Sequence, residues 1–133
     1  GARVVPAALT VFAKCVESDD ILRLHRFGGP VAGGLDLSDW NVFGRQRWSC
    51  REPEHRIRDL TAAVAALRID WSSSDHVPME GQEEHEVRCE GEGAVHAVIF
   101  WYELDLVPPA EGPIRVSTAA SSACGGVAAL RID

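Results

Sequence analysis

Residues 96–107 read HAVIFWYELDLV, an almost unbroken apolar and aromatic run that carries two acids near its end. A period of two divides it cleanly. Val98, Phe100, Tyr102, Leu104 and Leu106 share one face, and Ile99, Trp101, Glu103 and Asp105 share the other. The spacing predicts a strand whose first set forms the core and whose acids turn outward. Residues 8–17, ALTVFAKCVE, follow the same rule. Leu9, Val11, Ala13 and Cys15 line one side, and Thr10, Phe12, Lys14 and Val16 the other. Ser18 then serves as a helix N-cap, Asp19 and Asp20 suit the positive end of the helix dipole, and Gly28-Gly29-Pro30 ends the segment. A short helical arm is expected there, with Ile21, Leu22 and Leu24 as its apolar contacts.

The rest of the chain is less regular. Residues 28–34, GGPVAGG, read as a connector: no buried strand feeds them and no helix follows, so they are not a phosphate cradle. Residues 35–43 are irregular or a short helical turn. The arginines at 45, 47, 51, 56 and 58 suggest a solvated strand or loop face. LTAAVAALRIDW at 60–71 is open between helix, favoured by its alanines, and strand. A polar loop at 72–84 follows. Residues 85–106 then read as a β-hairpin turning at Glu90-Gly91-Glu92-Gly93. VAALRID occurs at 64–70 and again at 127–133, but the flanks differ, so the heptapeptide is not a repeat architecture.

Composition narrows the picture. A chain of 133 residues, 46% of them hydrophobic, supports one folded domain. The net charge of −7 argues against nucleic-acid or anionic-membrane partners, which need a basic surface. The apolar runs fall short of the roughly 20 residues that span a bilayer. The chain starts at Gly1 with Met79 as its single methionine, which reads as the interior of a longer polypeptide. Cys15, Cys50, Cys89 and Cys124 form no C-x-x-C pair, so reduced thiols and an intracellular location, cytoplasmic or nuclear, are expected.

The candidate chemistry is sparse. Glu103 and Asp105 share a strand face and are the one pair of acids suited by spacing to hydrolysis, although an outer face favours simple solvation. His85, Cys89 and His96 lack standard metal spacing and a fourth ligand. Ser72–Ser74, Asp75 and His76 hold the residue types of a triad, but triads are assembled by the fold, not by adjacency. Cys124 beside two glycines has nothing to activate it. The sequence therefore assigns no catalytic, cofactor-binding or metal-binding residue.

VVPAALTVFAKCVESDDILRL at 4–24 resembles the start of the β-barrel domain of the protein arginine N-methyltransferases, with Pro6 in the place of the proline that joins the methyl-donor domain to the barrel. GGLDLSDWNVF at 33–43 is similar to the segment after the family's dimerisation arm, and AALRIDW at 65–71 to a later barrel strand. VHAVIFWYELDL at 95–106 with IRVST at 114–118 resembles a strand pair of that barrel. The matches are colinear over residues 4–119 and look most like the tandem-domain members, types 9 and 7. The family's glycine-rich donor site and double-glutamate loop lie upstream of Pro6 and are absent from this sequence. After the S-T the family continues to a T-H-W-type motif, whereas this chain runs AASSACGG.

The resemblance implies a mainly β fold, a partial antiparallel β-barrel with a short helical arm. Residues 1–7 would end a linker, 8–119 form the barrel, and 120–133 be a divergent tail. It implies an inactive fragment of an enzyme that moves a methyl group from S-adenosylmethionine to a protein arginine. Its partners would be an upstream methyltransferase domain of the same polypeptide, an arginine-containing protein substrate, and a second half in a dimer or pseudo-dimer touching Ile21, Leu22 and Leu24. The rival expectation is a non-enzymatic β-rich interaction module.

Overall fold

The structure is a computed structural model, and it describes residues 4–23, 34, 36, 47–50, 56–72, 80–119 and 127–131. Among these, seven strands form one antiparallel sheet: β1 (Ala8–Glu17), β2 (Arg47–Cys50), β3 (Arg58–Asp59), β4 (Val64–Asp70), β5 (Ala97–Asp105), β6 (Arg115–Ser117) and β7 (Val127–Arg131). One short helix, α1 (Asp19–Arg23), follows β1. The sheet is an open, curled half-barrel, as the resemblance implied.

At its centre β1 and β5 pair over nine consecutive positions, from Ala8↔Asp105 to Val16↔Ala97. Both are the chain's most apolar strands. Pairing them buries apolar surface and satisfies their backbone groups in the same step. β3 and β4 add to β1, while β6 and β7 add to β5. Most of the ambiguous stretch at 60–71 is thus strand, Val64–Asp70, because pairing with β1 outweighs the helical preference of its alanines. A bulge at Ala66 lets Leu67 face Val11 and Ala65 face Phe12. The second heptapeptide supplies β7, so the sheet extends beyond residue 119.

Ser18 caps α1 as the sequence predicts: its Oγ accepts the Ile21 N–H at 3.2 Å. Ile21 is then fully buried with Val16, Ala97 and Ile99, and Ile57 and Trp101 pack against this cluster.

That cluster corrects the expected core face. The alternation along β5 is as predicted, but its fully buried residues, Ala97 and Ile99, lie on the other side, with the half-buried Trp101 beside them. Val98, Phe100, Leu104 and Leu106 are half-buried, and Tyr102 is 40% exposed. The physical reason is that both faces of β5 are apolar between residues 97 and 101. Which face is sealed then depends on where α1 docks, and it docks over Ile99.

The expected hairpin is also corrected. Residues 80–96 form no strand, and Cys89 makes a single bridge to Thr61. With Glu83, Glu84, Glu86, Arg88, Glu90 and Glu92, this segment has too little apolar surface to compete with β1 for β5.

Replacing Ile99 with Ala is expected to lower stability by about 3 kcal/mol. Tyr102→Ala should cost no more than about 1 kcal/mol. Urea unfolding of both variants checks the face assignment, and the reverse order would restore the original one.

Candidate functional site

The two acids singled out by the sequence lie where strand pairing brings cations to them. β6 runs antiparallel to β5, with Arg115 opposite Asp105. On the other side, β1 sets Thr10 opposite Glu103, and β4 sets Arg68 opposite Thr10. Arg115 Nε donates to Asp105 Oδ1 at 2.8 Å, and its Nη1 donates to Glu103 Oε2 at 3.2 Å. Arg68 Nη1 donates to Thr10 Oγ1 at 2.9 Å and reaches Asp105 Oδ2 at 3.4 Å. The hydrogen bond and charge of Asp105, then the charge of Glu103, raise the Arg115 pKa above its ordinary value.

This ladder does not resemble a hydrolytic pair. Such a pair needs one carboxyl kept as a proton donor by an apolar wall or by a second acid. Glu103 and Asp105 face guanidinium groups instead. They do lie on the face of Ile99 and Trp101, as expected. They are ion-paired rather than merely solvated. Beside them Phe12 and Trp101 stack at 5.7 Å between ring centroids, and the Lys14 ammonium lies 6.0 Å from the Trp101 ring. One face therefore combines an aromatic pair with an acidic pair, both already supplied with cations from the same chain. The sequence search missed Thr10, Arg68 and Arg115, because only the pairing register brings them to Asp105.

A second charged site surrounds the start of α1, where a cleft of about 550 Å³ is lined by Asp19, Asp20, Arg23 and Arg56. Asp20 Oδ2 accepts the Arg56 backbone N–H at 2.9 Å. At the edge of this cleft Glu17 accepts the Arg58 guanidinium through Oε2 and the Ala94 N–H through Oε1 at 3.1 Å. The Ala94 hydrogen bond, then that of Arg58, holds Glu17 below its ordinary value of 4.5. Of the arginine run, Arg47 opens β2, while Arg56 and Arg58 are exposed as expected, Arg58 being engaged by Glu17.

The remaining candidates are scattered. His85 Nε2 lies 2.7 Å from the Ala66 carbonyl, while His96 Nδ1 accepts the Ser18 N–H at 3.2 Å. With Cys89 bridged to Thr61, these residues have separate partners, and no group of metal-ligating side chains forms among the described residues. Ser72 bonds Asp70 through both its N–H and its hydroxyl. Ser73, Ser74, Asp75, His76 and Cys124 lie outside the described residues, as does Leu24. Ile21 is fully buried in the core of its own sheet, and Leu22 is half-buried. No helix among the described residues is long and apolar enough to cross a membrane.

No family model matches the chain. Over 104 residues it is 29% identical to an arginine N(omega)-methyltransferase of Streptomyces achromogenes subsp. streptozoticus. The match covers 77% of this chain and 28% of that protein, so the chain spans under a third of its relative's length. The likeness points toward the arginine methyltransferases at the level of the family.

The Glu17 contact has a pH signature. A carboxylate with a lowered folded-state pKa stabilises the fold above its unfolded value, and that stability is lost as pH falls through the lowered value. Melting curves of the parent chain and Glu17→Gln should therefore differ most at neutral pH and converge as pH drops below about 4.5. Close packing gives a second expectation at the same place. A Cβ on Gly93 would lie 2.9 Å from Leu60 Cδ2, and Leu60 is buried. Gly93→Ala should cost about 1–3 kcal/mol in urea unfolding, with Gly81→Ala, which meets no neighbour, as its control.

Proposed function

We propose that this chain is an incomplete substrate-binding β-barrel of a protein arginine N-methyltransferase. The likeness to the Streptomyces enzyme carries this reading. The open half-barrel supports it, since the resemblance called for such a sheet. In the parent enzyme, S-adenosylmethionine would supply the methyl group and a protein arginine would accept it. The described residues do not fit that donor. β1 leads through Ser18 straight into a five-residue helix, without the glycine-rich turn that a donor site needs. Donor binding belongs to an upstream domain of the same polypeptide, and the chain by itself is inactive.

The barrel's part is to help hold the acceptor. Guanidinium recognition uses carboxylates for paired hydrogen bonds and aromatic faces for stacking. The Glu103–Asp105 pair beside Trp101 and Phe12 has both, and Arg115 already occupies the acids as a guanidinium would. Pairing with a second half, in a dimer or pseudo-dimer, and an intracellular setting complete this reading.

A second reading has its own observation. Leu67, Tyr102 and Val116 are large, exposed and, by register, on one sheet face, which suits a non-enzymatic interaction module. Two measurements separate the readings. Mixing the chain with labelled S-adenosylmethionine and an arginine-rich peptide should give no methyl transfer; transfer would overturn the inactive-fragment reading. NMR titration should show saturable, salt-sensitive binding of that peptide and much weaker binding of its lysine counterpart. Equal binding of both peptides favours the interaction module, and binding of neither removes the substrate-groove role.

A further inference from the structure

The sheet face opposite the buried cluster contains a cavity of about 160 Å³. It opens between β1, β4 and β5, beneath the chain at residues 85–87. Ala13, Val64, Ala66, Val87 and Val98 form its apolar wall. Cys15 joins this lining with a free, half-buried thiol.

The polar groups at the cavity are engaged within the fold, Lys14 through its ammonium to the Asp59 carboxylate at 2.9 Å. Thr61 is buried, and its Oγ1 accepts the Cys15 N–H at 3.0 Å. His85 Nε2 donates to the Ala66 carbonyl at 2.7 Å. An occupant therefore finds few vacant hydrogen-bonding groups and much aliphatic surface, and an apolar molecule loses least on entering. The size is equally restrictive. An engineered cavity of about 150 Å³, enclosed by Leu, Ile and Phe, takes up benzene, so the volume here suits a single ring. The outer wall is irregular chain rather than strand, anchored by the His85 bond and the Thr61–Cys89 bridge.

We propose that this cavity is a binding site for a single ring-sized apolar ligand, seated beside the Cys15 thiol. This site is independent of the methyltransferase reading.

The test uses fluorobenzene and the full chain. ¹⁹F NMR should show saturable binding that benzene displaces. Ala13→Leu, which extends a side chain into the cavity, should abolish it. A second measurement serves if that variant does not fold. N-ethylmaleimide modification, followed by peptide mass mapping, should slow at Cys15 when fluorobenzene is present and stay unchanged at the exposed Cys89. Absence of saturable binding to the folded chain, binding that survives Ala13→Leu in a folded variant, or no protection of Cys15 would each overturn the proposal. So would a leucine-bearing hexapeptide that protects Cys15 where fluorobenzene does not, since the cavity would then seat a partner's side chain.

Discussion

The pairing of β1 with β5 is the constraint on which every other element depends. It joins segments about 80 to 100 residues apart in sequence, from Val16↔Ala97 to Ala8↔Asp105. Closing so long a loop costs chain entropy before any contact repays it. The repayment comes from two strands that are apolar on both faces for much of their length. Once they are in register, β1 offers its free edge to β3 and β4, and β5 offers its free edge to β6 and β7. Ser18 and α1 then follow directly from the end of β1, which places Ile21 over Ile99.

This explains which features were legible in the sequence. β1, β5 and the capped start of α1 could be read because their signals are local: a period of two, an N-cap serine and two acids in the first helical turn. The buried side of β5 could not, since Ile99 and Phe100 are both apolar and only the docking of α1 separates them. The false hairpin arose from reading glycines at 91 and 93 as turn residues. Gly93 serves instead to let the chain pass close to Leu60 and Arg58. The charged ladder was half legible. Glu103 and Asp105 stood out by spacing, but their partners Arg68 and Arg115 come from other strands, and no local pattern links them.

The ladder also bears on what an arginine-recognising surface must do. Acids on a sheet face attract whatever cation the fold places within reach, and solvent-exposed ion pairs of this kind contribute little stability. Arg115 is 54% exposed at its side chain, whereas Asp105 is 17% exposed. The acids are thus the more sheltered partners and the guanidinium the more accessible one. An arginine from outside would have to compete with Arg115 for the same oxygens. In the proposed acceptor role such competition would favour arginine, because a lysine cannot reproduce the planar two-atom contact that Arg115 makes through Nε and Nη1.

The duplicated heptapeptide shows how strongly the central pair imposes structure. VAALR is strand in both copies, yet the partners differ: β4 lies along β1, whereas β7 lies between β5 and β2. In the first copy Ala66 bulges and shifts the register; in the second, Ala128 and Ala129 pair without a break with Phe100 and Ile99. Two alanines, a leucine and an arginine in five residues would favour helix in isolation. An unpaired edge on each side of the β1–β5 pair is stronger than that preference, because it supplies hydrogen-bond partners along a whole strand at once. The same residues therefore adopt the same conformation for a reason that lies in their neighbours. The half-barrel is built outward from its middle, and identical segments can extend it on either side.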